Sequence, residues 1–329
     1  MKRELAILLV LILAVLVFSP NDFYTNLGSR ILIATILAFS LNLLLGDAGL
    51  MSLAQNAICG IAAYAVAWLS VVQGLGPLSA VLLACVIALL VSAGFGAIAL
   101  RVQGIGFLMI TLALGQIVWG LAQRWVGLTG GENGITGLIR PHVFGLSIAH
   151  PKSFFVFCAV IFLLVFVALR VISRSVFGAV VRGTRDQSRR MSALGYEVWR
   201  IRWVSFVLAG MLAAIAGILE VYYATFATPD LLSLREAATT LLMVIVGGSS
   251  MLLGPFCGAI VVLILTQVVS SYTEHWVGLM GVLFLFTVLV MPEGILPFAV
   301  RLVGRVRARL FFQDRTPGGK PPLSARPTP

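Results

Sequence analysis

Residues 153–223 read SFFVFCAVIFLLVFVALRVISRSVFGAVVRGTRDQSRRMSALGYEVWRIRWVSFVLAGMLAAIAGILEVYY. Two apolar runs, 153–173 and 203–223, flank a loop from Ser173 to Arg202 crowded with arginine. Each run has the roughly 20 residues that an α-helix needs to cross the hydrocarbon core of a bilayer. The loop is too polar to enter that core, and its arginines assign it to the cytoplasmic side. Two membrane-spanning helices joined by a cytoplasmic loop are expected from this stretch.

Outward from it, the same pattern repeats. Further apolar stretches fall at 5–19, 30–45, 53–73, 78–100, 104–124, 237–249, 254–271 and 276–291. The chain is 60% hydrophobic and only 11% charged, against about 25% charged in soluble domains. The expected architecture is an all-α, polytopic transmembrane helical bundle of about 8–10 spans. The stretches at 30–45 and 237–249 are short for a span, which leaves a broken or re-entrant helix open there. With ten spans and a cytoplasmic N-terminus, 18 of the 23 Lys and Arg fall inside, so both termini are expected to be cytoplasmic. Eight spans satisfy the same asymmetry. The transmembrane domain is expected over 1–300, with the cytoplasmic loop at 173–202. The basic tail 301–329, with Thr316-Pro317-Gly318-Gly319, reads as disordered and cytoplasmic. Leu5 to Phe18 resembles a signal peptide, but Ser19-Pro20-Asn21-Asp22 lacks a small-x-small cleavage pattern, so a retained first helix is expected.

The net charge of +11 raises nucleic acid as a partner. The charges lie in short clusters between apolar runs, and Trp68, Trp119, Trp125 and Trp276 lie near run ends, as in interfacial belts. Membrane topology accounts for the charge, and no nucleic-acid binding is expected. Cys59, Cys85, Cys158 and Cys257 lie singly in apolar segments, and the three histidines share no ligand spacing, so no metal site is expected. Neither a phosphate-cradling G-x-x-x-x-G-K-[ST] nor a G-x-S-x-G nor an H-E-x-x-H occurs. The chain is expected not to be an enzyme, and if ATP drives it, another chain binds the nucleotide.

Three features carry functional information. Glycine-rich breaks at Gly46–Asn56 and Gly247–Pro255 each interrupt an apolar region and lead into Cys59-Gly60 and Cys257-Gly258. Matched broken helices in two halves point to a translocation site, and a plain pair of turns fits the same pattern. Intramembrane polar residues are costly and often functional. The candidates for a substrate path are Gln55, Asn56, Thr111, Gln116, Ser249 and Ser250, with Asn42, Gln103 and Gln267 as further polar positions. Helix–helix hydrogen bonding explains each of them equally well. No run of acids or lysines stands at the span centres, so the path is expected to lack fixed charge. The third feature is the loop. A short helix is expected from Thr184 to Leu194, with Thr184 capping its start and Gly195 supplying the left-handed residue at its end. Met191, Leu194, Tyr196 and Trp199 would form an apolar patch among arginines, as a docking element for a soluble partner requires.

The order of segments resembles the membrane permeases of branched-chain amino-acid ABC importers, in particular the LivM-type subunit. The resemblance covers about Ile31 to Pro297. It rests on Ser52-Leu53 through Gly60-Ile61-Ala62-Ala63-Tyr64, the Leu128–Ile135 stretch LTGGENGI, and Phe177-Gly178 through Leu194-Gly195. It rests also on Pro229-Asp230, Glu236, Gly247-Gly248 through Gly254-Pro255, and Pro292-Glu293-Gly294. It implies a multi-pass protein of the bacterial inner membrane that forms the path with a second, similar permease. Two ATPase subunits would carry ATP and Mg, a periplasmic binding protein would deliver substrate, and this chain would bind no cofactor. Arg182, Arg185, Asp186 and Gly195, with Met191 and Leu194 in the same loop, would form the ATPase-coupling element. The sequence departs from the family pattern at Gln55 and Gln116, where the family usually has His and Glu. Those departures keep a urea or short-amide permease open as an alternative substrate class, and an autonomous secondary transporter as an alternative mechanism.

Overall fold

The computed structural model describes residues 22–140, 142–143, 146–147 and 150–270, together with positions 278, 281, 282, 285, 289 and 294–298. The expected first span at 5–19, nearly all of the stretch at 276–291 and the tail 301–329 lie outside these residues. Six helices of the described residues are long and apolar enough to cross a membrane. They are α1 (Asp22–Ala48), α2 (Gln55–Val72), α3 (Pro77–Ala99), α4 (Ile105–Arg124), α5 (Pro151–Arg174) and, after two short helices, α8 (Val198–Ala224). The short helices α6 (Val176–Asp186) and α7 (Ser188–Ala193) occupy the basic loop. Two shorter apolar helices follow, α9 (Leu234–Gly247) and α10 (Gly254–Ser270).

The apolar stretch 30–45 belongs to a 27-residue helix. Its polar first turns, with Asp22, Asn26 and Arg30, hide its true length from an apolar count. Residues 237–249 form most of a 14-residue helix, about 21 Å long at 1.5 Å per residue. Pro77 and Pro151 open α3 and α5, where a missing N–H costs nothing.

Helices α1, α2 and α8 form the centre. Their contact surfaces are built from small residues, which let backbones approach in lipid. A Cβ on Gly217 of α8 would stand 2.0 Å from the Cys59 carbonyl oxygen of α2, and one on Gly210 would stand 2.0 Å from Ser92 Oγ of α3. Around this centre Phe39 stacks on Phe162 with centroids 5.8 Å apart, and Phe162 meets Phe256 at 5.6 Å. By contrast α3 and α4 bury only 22% of their apolar windows, and Leu78, Leu90, Ile105 and Met109 stand exposed. These faces are suited to acyl chains or to another membrane chain.

The helices alternate in direction, so that the loops sort to two ends. One end carries the basic loop and the 100–104 turn. The far end carries the LTGGENGI stretch and the segment after α8. Those two pair through Ile135–Thr136 and Phe226–Ala227. Gly134 sits so close to the Ala227 carbonyl that a Cβ would stand 2.0 Å from its oxygen. Arg140 completes this end by donating to the Tyr222 and Tyr223 carbonyls at 3.0 Å, where α8 runs out of internal donors.

Candidate functional site

At the basic end, the loop is two helices with a break at Gln187, not the single helix expected from Thr184. The Ser175 hydroxyl accepts from Gly178 N at 3.3 Å and caps α6. Thr184 is buried instead and donates to Val181 O. The helix starts earlier because Ser175 offers a cap with extended backbone, which Thr184 inside the helix cannot do. The expectation at the other terminus holds. Gly195 takes φ 88°, Tyr196 N donates to Met191 O and Gly195 N donates to Ser192 O, closing a Schellman turn.

This loop is fastened to the end of α1. Arg182 reaches Asp47 Oδ1 at 3.4 Å and Ser173 O at 2.9 Å, and Ser173 Oγ donates to Asp47 Oδ2 at 3.2 Å. Arg185 Nη1 donates to the Gly46 carbonyl, and its stem lies on Gly49, where a Cβ would stand 2.5 Å from Arg185 Cγ. Gly49 also has φ 68°, so glycine is needed there twice over. A Cβ on Gly46 would in turn stand 2.5 Å from the Ser249 carbonyl oxygen. The two glycine-rich breaks therefore touch, and Arg185 grips one of them. Among the described residues Asp186 pairs only with its neighbour Arg185, at 2.9 Å in solvent. Beside the loop an open cleft of about 560 Å³ is lined by Leu100, Gln103, Tyr196, Trp199 and Arg202, with Leu194 exposed nearby.

Past Gly49, the chain turns back into the bundle, and α2 starts inside it. Its first residues Gln55, Asn56 and Ala57 are buried, and no side chain caps it. Gln55 lies against Ser40, whose hydroxyl is 2.9 Å from Gln55 Oε1 and 2.7 Å from Ala209 O. One hydroxyl hydrogen serves one acceptor well. An amide turned so that Nε2 donates to Ser40, and Ser40 to Ala209, satisfies the chain. Thr111 accepts from Leu53 N at 3.2 Å and donates to Leu108 O at 2.9 Å, pinning the re-entrant segment to α4.

Toward the far end, α1, α2, α8, α9 and α10 surround a cavity of about 90 Å³. One water needs only about 10–15 Å³ by such a measure. Its polar lining is Arg30, Asn56, Glu220, Glu236, Thr239, Thr240 and Thr266. Arg30 is within electrostatic reach of both carboxylates, and they are within reach of each other. Charged side chains therefore line this cavity, although no run of acids or lysines stands at the span centres. Glu220 is the one carboxylate of α8, one turn before its end and past a long apolar stretch, and Glu236 stands in the first turn of α9, where an acid suits the helix dipole.

The family described as the permease component of the branched-chain amino-acid transport system matches residues 23–288. The chain belongs to that family. It is 27% identical over 322 residues to the high-affinity branched-chain amino acid transport system permease protein LivM of Escherichia coli K12, covering 90% of this chain and 75% of that one. The LivM protein of Salmonella typhimurium LT2 is 26% identical over the same shares. No solved structure matches.

This permease is thus a multi-pass transport protein of the bacterial inner membrane. Of the path residues expected from sequence, Asn56 lines its cavity. Gln55 faces Ser40 and α8, Thr111 serves as a tie, Ser249 lends its backbone to Gly46, and Ser250 is exposed. Gln116 is half-buried on α4. Sequence reasoning missed Arg30, Glu220 and Asp47. The signal for Glu220 was present, since an ionisable residue inside a span is functional by default.

Proposed function

We propose that this chain forms, with a second homologous permease, the translocation path of an ABC importer for branched-chain amino acids. Two separate ATPase subunits, which hold ATP and Mg, dock on the basic platform, and a periplasmic binding protein delivers substrate to the far end. Membership of the permease family over residues 23–288 carries this reading. The platform end is then cytoplasmic, in keeping with its arginines.

The coupling element on this reading comprises Arg182, Arg185, Asp186, Met191, Leu194 and Gly195, and the adjoining cleft receives a projection of the ATPase. ATP-driven movement of that partner displaces α6 and α7. Since Arg182 holds Asp47 and Arg185 holds the Gly46 carbonyl, α1 moves with them. Gly46 bears on Ser249, so the second break moves too. The platform therefore acts as a lever whose displacement reaches both breaks as rigid-body gating. Residues 1–300 make up the transmembrane part, and 301–329 a cytoplasmic tail that touches anionic lipid. Asn56 belongs to the path, while Gln55, Thr111, Gln116, Ser249 and Ser250 shape the re-entrant segment and the breaks beside it.

Uptake of labelled leucine and of urea in cells lacking this gene, with and without its restoration, tests the reading. Loss and rescue of leucine uptake alone is expected. Loss and rescue of urea uptake alone would overturn the substrate class. Co-purification of two ATPase chains is expected, and their absence would contradict the ABC mechanism.

A further inference from the structure

The far-end cavity holds more negative than positive charge. Glu220 and Glu236 face one guanidinium, Arg30. The other charged groups near Glu236, Asp230 and Arg235, have opposite signs and offset each other. Two carboxylates cannot both be satisfied by one shared cation at the edge of a bilayer, where a surplus charge is costly. Asn56 adds a second observation. It is only 4% exposed and lines the cavity, and its amide makes no hydrogen bond among the described residues. Much of the remaining lining, including Ile33, Leu37, Ala216, Leu231, Met243 and Leu263, is apolar.

We infer that this cavity recognises a small ligand bearing an ammonium group and a short aliphatic side chain, with Glu220 as the residue that selects the ammonium. The ammonium supplies the positive charge that the cavity lacks, hydrogen-bonding to Glu220 with Glu236 behind it. The side chain lies on Leu37, Leu231 and Met243. A neutral amide such as urea leaves the surplus carboxylate unmet and is disfavoured. This inference rests on the amino-acid importer reading and deepens it, placing substrate selection in the permease as well as in the binding protein.

The test uses the full importer with its binding protein in proteoliposomes, comparing the unaltered complex with Glu220→Gln and Glu220→Asp. Leucine uptake by the unaltered complex is required by the importer reading, and its absence would sink that reading first. Given uptake, Glu220→Gln is expected to lower it about tenfold or more, the loss of one charge-assisted hydrogen bond. Glu220→Asp, which keeps the carboxylate, is expected to restore most of it. A second readout is the thermal unfolding of the detergent-purified complex, without binding protein, in leucine, its decarboxylated amine 3-methylbutylamine, or its deaminated acid 4-methylpentanoate. The amine and leucine are expected to raise the unfolding temperature of the unaltered complex but not of Glu220→Gln, and the acid to leave both unmoved. Undiminished leucine uptake by Glu220→Gln, or equal stabilisation by the acid, would overturn the assignment while leaving the importer reading in place.

Discussion

The two ends of α1 use charge in opposite ways. At Asp47 the charges are matched: one carboxylate takes Arg182 and the Ser173 hydroxyl, and the neighbouring guanidinium of Arg185 takes a backbone carbonyl. At Arg30 they are unmatched, with two carboxylates around one guanidinium and an open space between. Matched charge fastens one element to another and leaves nothing for a ligand. Unmatched charge in a cavity costs stability and is kept where a passing group can complete it. The contrast separates a mechanical end from a selective end on a single helix.

The largest effect is expected from breaking the selective end. Arg30→Met leaves two carboxylates without a counter-charge. Removing one partner of a fully buried pair costs about 3–5 kcal/mol, and partial exposure of this site reduces that figure. The membrane-inserted yield of Arg30→Met should fall, and adding Glu220→Gln should recover part of it. Recovery would sharpen the contrast, because nothing comparable is expected from pairing Arg182 and Asp47 variants. Next comes Gly195→Val at the mechanical end. A β-branched residue in the left-handed region costs about 1–2 kcal/mol locally. Insertion should be unchanged, and substrate-stimulated ATP hydrolysis should drop; unchanged stimulation would remove Gly195 from the coupling element.

Asp47→Asn should be milder still for stability. Its pair with Arg182 is partly solvated, at 21% and 38% side-chain exposure, so about 1 kcal/mol or less is at stake. The consequence falls on coupling, since α6 would slip against α1. A few-fold loss of stimulated hydrolysis at near-normal protein level is expected. Asp186→Ala should do least. Its contact with Arg185 is exposed, and such pairs contribute about 0–1 kcal/mol. Stability should be unchanged, and as one member of the coupling element Asp186 should show a small fall in stimulated hydrolysis. Hydrolysis and uptake within error of the unaltered complex would remove Asp186 from that element.

Much of the fold was legible because hydropathy and arginine placement are one-dimensional signals. The helices flanking the basic loop, the glycine-rich breaks and the left-handed Gly195 all follow from local chemistry. What was not legible depended on which side chains meet. Asp47 reads as one residue of a polar turn until α6 brings Arg182 to it across 135 positions of sequence. Glu220 disappears in the average of an apolar helix, and Arg30 reads as a flanking charge because α1 begins before its apolar part. Gln55 and Thr111 drew notice as intramembrane polar groups, yet Gln55 meets Ser40 of α1, and Thr111 bonds the segment at Leu53 and its own helix. Polarity within a span shows that a cost was accepted. Only the partner shows whether it was accepted for packing or for passage.

The most direct test of the division between the two ends is a paired assay in proteoliposomes holding the full importer. Substrate uptake and ATP hydrolysis are measured together for Gly195→Val and Glu220→Gln. The account predicts that Gly195→Val loses stimulated hydrolysis and uptake in step, whereas Glu220→Gln loses more uptake than hydrolysis. The same pattern of loss in both variants, or full uptake in Glu220→Gln, would contradict it.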